Sequence, residues 1–332
     1  MNTKWLISDH VKDKKFEMNI SNYSSLFINE STNFYDLIMK LHEYFKPRTK
    51  MRDYITIKES TNDFEEISNH AYYSFIISES ILEDEKQLKN KSLLKDHIKN
   101  KLLNNLETNG YLLTVNTLLG DLFQETLSEI PYNFDELSID KLLKTVNIRI
   151  ESNSNYNEDT IDIQLTRKKE LLNLIKQHVT NEYKQTKIIF YMFPESNLSP
   201  RNQIKMREFL EKLSEEIYVF VITKSKYFLQ NDHEGVNYLY SNSEKQLFNE
   251  SFFDDLEWDC PVDYKKEKLI ESVNYVYKTY VDTFETTPLI SNYKNADIIL
   301  FESIDLFVLT FILKKLNYKY YMDLDAKKID NP

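Results

Sequence analysis

Glu129, Asp135, Glu136 and Asp140 flank a turn after Pro131 and offer enough oxygen to hold a hard cation. Calcium takes several oxygen ligands, drawn from carboxylates, backbone carbonyls and water. The same acids equally suit the start of a helix, where the dipole favours negative charge. The full six-position loop of a dedicated calcium site is missing. Asp135, Glu136 and Asp140 are the metal candidates. A second group is basic. Lys86, Lys89, Lys91, Lys95, Lys99 and Lys101 face only Asp96 within their stretch, and Arg167, Lys168 and Lys169 follow on a later segment. Lysine meets nucleic-acid phosphate as a point charge that reads no sequence. A solvated helix face is the plainer reading of the same run.

Other chemistries are poorly supplied. Neither Gly-x-x-x-x-Gly-Lys nor Gly-x-Gly-x-x-Gly occurs, and the chain holds only 3 glycines, so a phosphate-cradling loop of the usual form is excluded. The six histidines, His10, His42, His70, His97, His178 and His233, show no metal-ligand spacing. Cys260 is the single cysteine, so one chain builds no disulfide framework or cysteine zinc cluster. A metal-dependent nuclease needs convergent acids. Its candidates are the carboxylates between 121 and 140, a stretch that holds no Lys, Arg or His, and Glu195 at the end of an apolar run.

These side chains must be positioned by elements legible in the pattern. Residues 5–8, 16–20, 25–29 and 54–57 read as strands, and 71–77 as a short apolar run. Ser31 or Asn33 caps a helix through Leu37, Ile38, Leu41 and Phe45 that stops at Lys46-Pro47. From 84 to 130 the period is helical, with a stripe at Leu88, Leu93, Leu94, Ile98, Leu102, Leu103 and Leu106. Gly110 is expected to break it and Pro131 to end it. Ser138 is expected to cap a helix over 139–145. Residues 146–150 read as a strand, 153–157 as a polar turn and 161–179 as a helix. Residues 187–193 and 217–223 read as buried parallel strands joined by a helix that opens at Ser199-Pro200. Beyond 231–235 come acidic turns carrying Phe252, Phe253 and Trp258. A helix over 266–280, a strand over 296–300 and a helix over 304–316 follow.

Net charge is −11 over 332 residues, which taken alone argues against nucleic acid. The charge is uneven. Positions 232–305 hold sixteen acids against six bases, nearly the whole imbalance. The remainder is close to neutral. No apolar stretch is long enough to span a bilayer, and the N-terminus has no apolar signal core. The expectation is a soluble cytoplasmic protein.

The stretch IPYNFDELSIDKLLKTVNIRIE (130–151), then LTRKKELLNLIKQHV (165–179) and KIIFYMFPESNLSPRNQIKMREFLEKLSEEIYVFVITKSKYFL (187–229), resembles the Csn-two family, the accessory adaptation proteins of type II-A CRISPR systems. FEMNISNYSSLFINESTNFYDLIMKLHEYF (16–45) fits the opening strands and first helix of that family. The resemblance covers about residues 1–240, and the remainder suggests the long form. It implies an α/β fold with a nucleotide-hydrolase-like head lacking a phosphate loop (1–83 and 184–240). A helical leg domain (84–183) is inserted in the head. An acidic, mixed α/β extension (241–332) completes the chain.

The resemblance also implies function. Four subunits form a ring with a positively charged hole that threads onto double-stranded DNA ends. The ring assists spacer acquisition with the integrase subunits and the effector nuclease, without enzymatic activity or bound nucleotide. On this reading Lys86, Lys89, Lys91, Lys95, Lys99, Arg167, Lys168 and Lys169 are the DNA-contact candidates. Calcium orders the ring in short members, and Asp135 and Glu136 fall on the acidic pair of the family. Asn133 stands where an acid is usual and Lys141 where a Glu is usual, which weakens a multi-oxygen site. Lys141 is expected to act as an internal cation near Asp135. A protein-interaction module without a DNA role is a further reading, motivated by the acidic C-terminal region.

Overall fold

The computed structural model describes residues 3–28, 34–60, 64–127, 129–130, 132–148, 160–240, 245–284, 289–291, 298–300 and 302–323. In chain order the elements are β1 (Thr3–Asp9), β2 (Lys14–Ile20), β3 (Tyr23–Phe27), α1 (Phe34–Tyr44), β4 (Ile55–Glu59), β5 (Glu65–Glu66), β6 (Tyr72–Ile77), α2 (Glu79–Lys86), α3 (Leu93–Asn104), α4 (Leu106–Thr126), α5 (Ile139–Leu143) and α6 (Thr160–Glu182). They continue with β7 (Thr186–Met192), α7 (Pro200–Leu213), β8 (Tyr218–Thr223), β9 (Val236–Tyr240), β10 (Lys245–Gln246), α8 (Phe252–Asp259), α9 (Lys266–Tyr280), β11 (Leu289–Ser291), β12 (Ile298–Ile299), α10 (Ser303–Lys315) and β13 (Tyr321–Asp323). Two compact units result. One joins Met1–Ser78 to Gln185–Pro332, and the other is Glu79–Lys184.

The first unit is α/β. Its central sheet runs β10-β9-β3-β8-β7-β6, parallel throughout except for β10. Strands covered on both faces carry continuous apolar runs, and β7 buries Ile188 through Met192 while β8 buries Val219 through Thr223. The connection between them is α7. Ser199 caps it by accepting from the Asn202 N–H, with Pro200 in its first turn.

A second sheet, β2-β1-β4-β5, is antiparallel. Its alternation sets the register: Trp5 faces Met18, and Ile7 faces Phe16 and Ile57, all buried. With Leu37, Ile38, Leu41 and Tyr44 of α1 these residues form one core. A second core joins Phe27, Leu229, Val236 and Tyr238 to the buried faces of α8, α9 and α10. The segment expected as acidic turns around Phe252 is therefore the helix α8. Phe252 enters the core while Trp258 stays 89% exposed.

The second unit is helical. Ser92 caps α3, and the buried Glu85 carboxylate accepts from the Leu93 and Leu94 N–H groups at 2.9 Å each. Three free donors of that first turn, the N–H groups of Leu93, Leu94 and Lys95, thus find side-chain acceptors. Gly110 does not break the helical run. The break falls at Asn105, which caps α4 through the Glu107 N–H, and α4 passes straight through Gly110 and Gly120. A glycine costs a helix only about 1 kcal/mol, so the turn is decided by the cap rather than by the glycine. Ser138 caps α5 as expected, accepting from the Lys141 N–H. Residues 146–148 are irregular rather than a strand. The expected cap at Ser31 or Asn33 and the polar turn at 153–157 lie outside the described residues.

Candidate functional site

The predicted basic residues divide by burial. Lys91 is exposed, at the turn before α3. Lys86 pairs with Glu83 at 3.2 Å, and Lys89 with Asp84 at 2.7 Å, all at the surface. Such pairs are worth about 0–1 kcal/mol, so an incoming phosphate can displace the acid. Arg167 and Lys169 are half-buried on α6, and the Arg167 charge helps hold the Glu83 carboxyl low, after hydrogen bonds from Gln87 and Lys86.

Lys95 and Lys168 are buried, at odds with phosphate contact by these two. Lys95 Nζ donates to Asn90 Oδ1 at 2.9 Å, and Lys168 Nζ meets Glu79 Oε2 at 2.6 Å with only 3% of its side chain exposed. Sequence spacing contained the signal for Lys168. It sits three residues after Leu165 and four before Leu172, inside the apolar stripe that continues to Ile175 and Val179.

Asp135 and Glu136 lie on the return segment between α4 and α5, and Asp140 is in the first turn of α5. Asp140 receives Lys99 Nζ at 2.9 Å on both carboxylate oxygens, and the Lys99 hydrogen bond holds its carboxyl below the usual range. Asp135 is fully exposed, and its Oδ2 lies 3.4 Å from Lys141 Nζ. That ammonium donates to the backbone oxygens of Glu136 at 2.9 Å and Asp135 at 3.2 Å. Asn116 of α4 pins the segment from the other side, accepting from the Leu137 N–H at 2.7 Å and donating to its C=O at 3.1 Å. Among the described residues no three or more His, Cys, Asp or Glu side chains converge as a metal-binding set.

Two features escaped the sequence reading. His97 of α3 and His178 of α6 place their Nδ1 atoms 3.3 Å apart in a buried pair, although 81 positions separate them. Burial pushes both ring pKa values down. The second feature is α4 itself. One of its stripes, Asn116 and Phe123 among its members, lies under the return segment. Phe123 meets Tyr132 and Phe134 with ring centroids 6.2 and 5.3 Å away. The other stripe, Tyr111, Val115, Leu118 and Leu122, is exposed, with Leu118 at 63%. Its 4-3-4 spacing is that of a helix seam.

Glu195, the acid at the end of β7, spends both oxygens locally. Oε2 accepts from Thr223 Oγ1 at 2.9 Å and Oε1 from the Lys224 N–H at 2.8 Å. This cross-ties the ends of β7 and β8. Among the described residues no helix is long and apolar enough to cross a membrane.

No family model and no curated protein matches the chain. Among solved structures the chain is similar in fold to Stu0660 of Streptococcus thermophilus, at 16% sequence identity and a TM-score of 0.61, the match covering 98% of each chain.

Proposed function

We propose that the chain is a non-enzymatic cytoplasmic protein that assembles as a homotetrameric ring on double-stranded DNA ends. In this reading it assists spacer acquisition in type II-A CRISPR immunity, beside the integrase subunits and the effector nuclease. The observation that carries the assembly is the open stripe of α4. A contiguous row of Tyr111, Val115, Leu118 and Leu122 facing water marks an interaction face. A second copy of the same helix fits it by heptad spacing. The resemblance of residues 130–151, 165–179 and 187–229 to the Csn-two family supplies the DNA role, and the likeness to Stu0660 over 98% of each chain bears on the fold alone.

The DNA-contact set narrows to Lys86, Lys89, Lys91, Lys99, Arg167 and Lys169, since Lys95 and Lys168 are buried. Contacts of this kind weaken steeply with salt and ignore sequence. A gel shift of the purified chain on linear and on covalently closed circular duplex, at two salt concentrations, tests the proposal. Binding to linear duplex alone is the expected result. Equal binding to both forms rejects threading, and binding to neither rejects the DNA role.

The second reading is an interaction module without DNA. The observation favouring it is that Lys86, Lys89, Lys99 and Lys168 already carry acidic partners within the chain. Of the nuclease candidates, Glu195 already accepts from the Thr223 hydroxyl and the Lys224 N–H. Loss of linear DNA on incubation with magnesium or manganese is the result that would favour the nuclease reading.

A further inference from the structure

We propose that Lys141 is the resident cation of the segment between α4 and α5, so that this segment keeps its shape without a divalent ion. The resemblance implies calcium here, and the residues present do not fit it. An ammonium has three donors. Three acceptors converge on Lys141 Nζ: the Glu136 carbonyl at 2.9 Å, the Asp135 carbonyl at 3.2 Å and Asp135 Oδ2 at 3.4 Å. Two carbonyls and a carboxylate oxygen are a donor set that a hard cation would otherwise seek. The side chain at 141 fills their focus with a tethered positive charge.

The neighbouring acid is occupied in the same way. Asp140 holds Lys99 Nζ at 2.9 Å through both oxygens, so its carboxylate could complete a coordination shell only by giving up that pair. Position 133 is Asn, which withholds a further negative charge. The segment is also secured without ions on its other side, by the two Asn116 bonds to Leu137 and by the Ser138 cap on α5. A calcium ion entering here would have to expel the Lys141 ammonium and separate Asp140 from Lys99. The inference concerns this segment alone and stands whether or not the chain binds DNA.

Two measurements on the full chain test it. Titration of wild-type protein with calcium chloride in a calorimeter is expected to give no heat above dilution. Hydrogen exchange of the amides at 137–141 is expected to be the same in calcium and in a chelator. In Lys141→Gln, which keeps the length of the side chain and removes its charge, exchange there is expected to rise roughly fivefold, the effect of losing about one hydrogen bond. Stoichiometric calcium binding by the wild-type chain overturns the proposal. So does unchanged exchange in K141Q, which would make Lys141 a bystander. Exchange is read segment by segment, so an unfolded variant is recognised by loss of protection everywhere.

Discussion

His42 on α1 makes the first unit acid-sensitive in a way that can be calculated. Its Nδ1 lies 3.0 Å from Ser74 Oγ, and Ser74 Oγ donates to the His42 carbonyl at 3.1 Å, so the neutral ring donates Nδ1–H to the hydroxyl. Burial is the main cause, with the Lys46 charge adding to it, that pushes the ring pKa down from 6.5 to about 4. The unfolded chain therefore binds a proton near pH 6.5 that the folded chain refuses until about pH 4. Between those values the unfolded state holds more protons, so stability falls as pH falls. The loss begins below pH 7, amounts to about 2 kcal/mol at pH 5, and levels off near 3 kcal/mol below pH 4.

Urea unfolding followed by tryptophan fluorescence reads this unit selectively. Trp5 is fully buried against Phe45 and Tyr72, whereas Trp258 is already exposed and changes little. The useful quantity is the stability of wild type minus that of His42→Gln, at pH 7.5 and at pH 5. Any packing defect in H42Q is common to both pH values and cancels. The histidine pair His97–His178 has lowered pKa values and sheds stability in the same direction, while the buried Glu85, its pKa raised by desolvation, opposes it. All three lie in the other unit and drop out of the difference. The difference is expected to shrink by about 2 kcal/mol on going to pH 5. An identical pH dependence in both proteins would refute the assignment of a neutral, desolvated His42.

Three further outcomes are expected. Gly110→Ala and Gly120→Ala each stabilise α4 by about 0.5–1 kcal/mol in thermal melts, since neither position has an atom near an added Cβ. Gly235→Ala does the reverse by about 1–3 kcal/mol, because its Cβ would meet Gln230 Cγ at 2.6 Å and Ser21 Oγ at 2.7 Å. Glu195→Gln lowers the stability of the first unit by about 1–3 kcal/mol, leaving one of two donors facing an amide N–H₂. Leu118→Ser with Leu122→Ser lowers the assembled mass in light scattering while circular dichroism stays unchanged. An unaltered mass would remove the open stripe from the proposed interface.

The sequence pattern located most elements because local rules and tertiary packing agreed there. Ser199-Pro200 and Ser138 are caps that act within one turn, and β7 and β8 announce double-sided burial by unbroken apolar runs. The reading failed where a local preference was overridden. Gly110 lost to the Asn105 cap five residues earlier. Phe252 and its acidic neighbours looked like a turn, yet a buried apolar face recruits them into α8. For the site the division is sharper. The positions of the lysines were visible, but their partners were not. Glu79 and Lys168 lie on separate helices, as do Lys99 and Asp140.

Those pairings change what charge means in this protein. A count of lysines describes the field that a distant phosphate feels only if the lysines are unpaired and wet. Lys168 fails both conditions, and a buried pair of this kind is costly to leave half-made. The apolar positions of α4 carry the opposite information. A 21-residue helix with Thr108 as its one buried residue gains little stability from its own unit. Isolated helices are marginal in water, and most helical stability comes from packing an apolar face. The return segment covers one stripe through Phe134 and Leu137, and nothing among the described residues covers Leu118 or Leu122. The second stripe is thus where α4 has apolar surface left to pack, and the proposed assembly would supply the burial that its own unit does not.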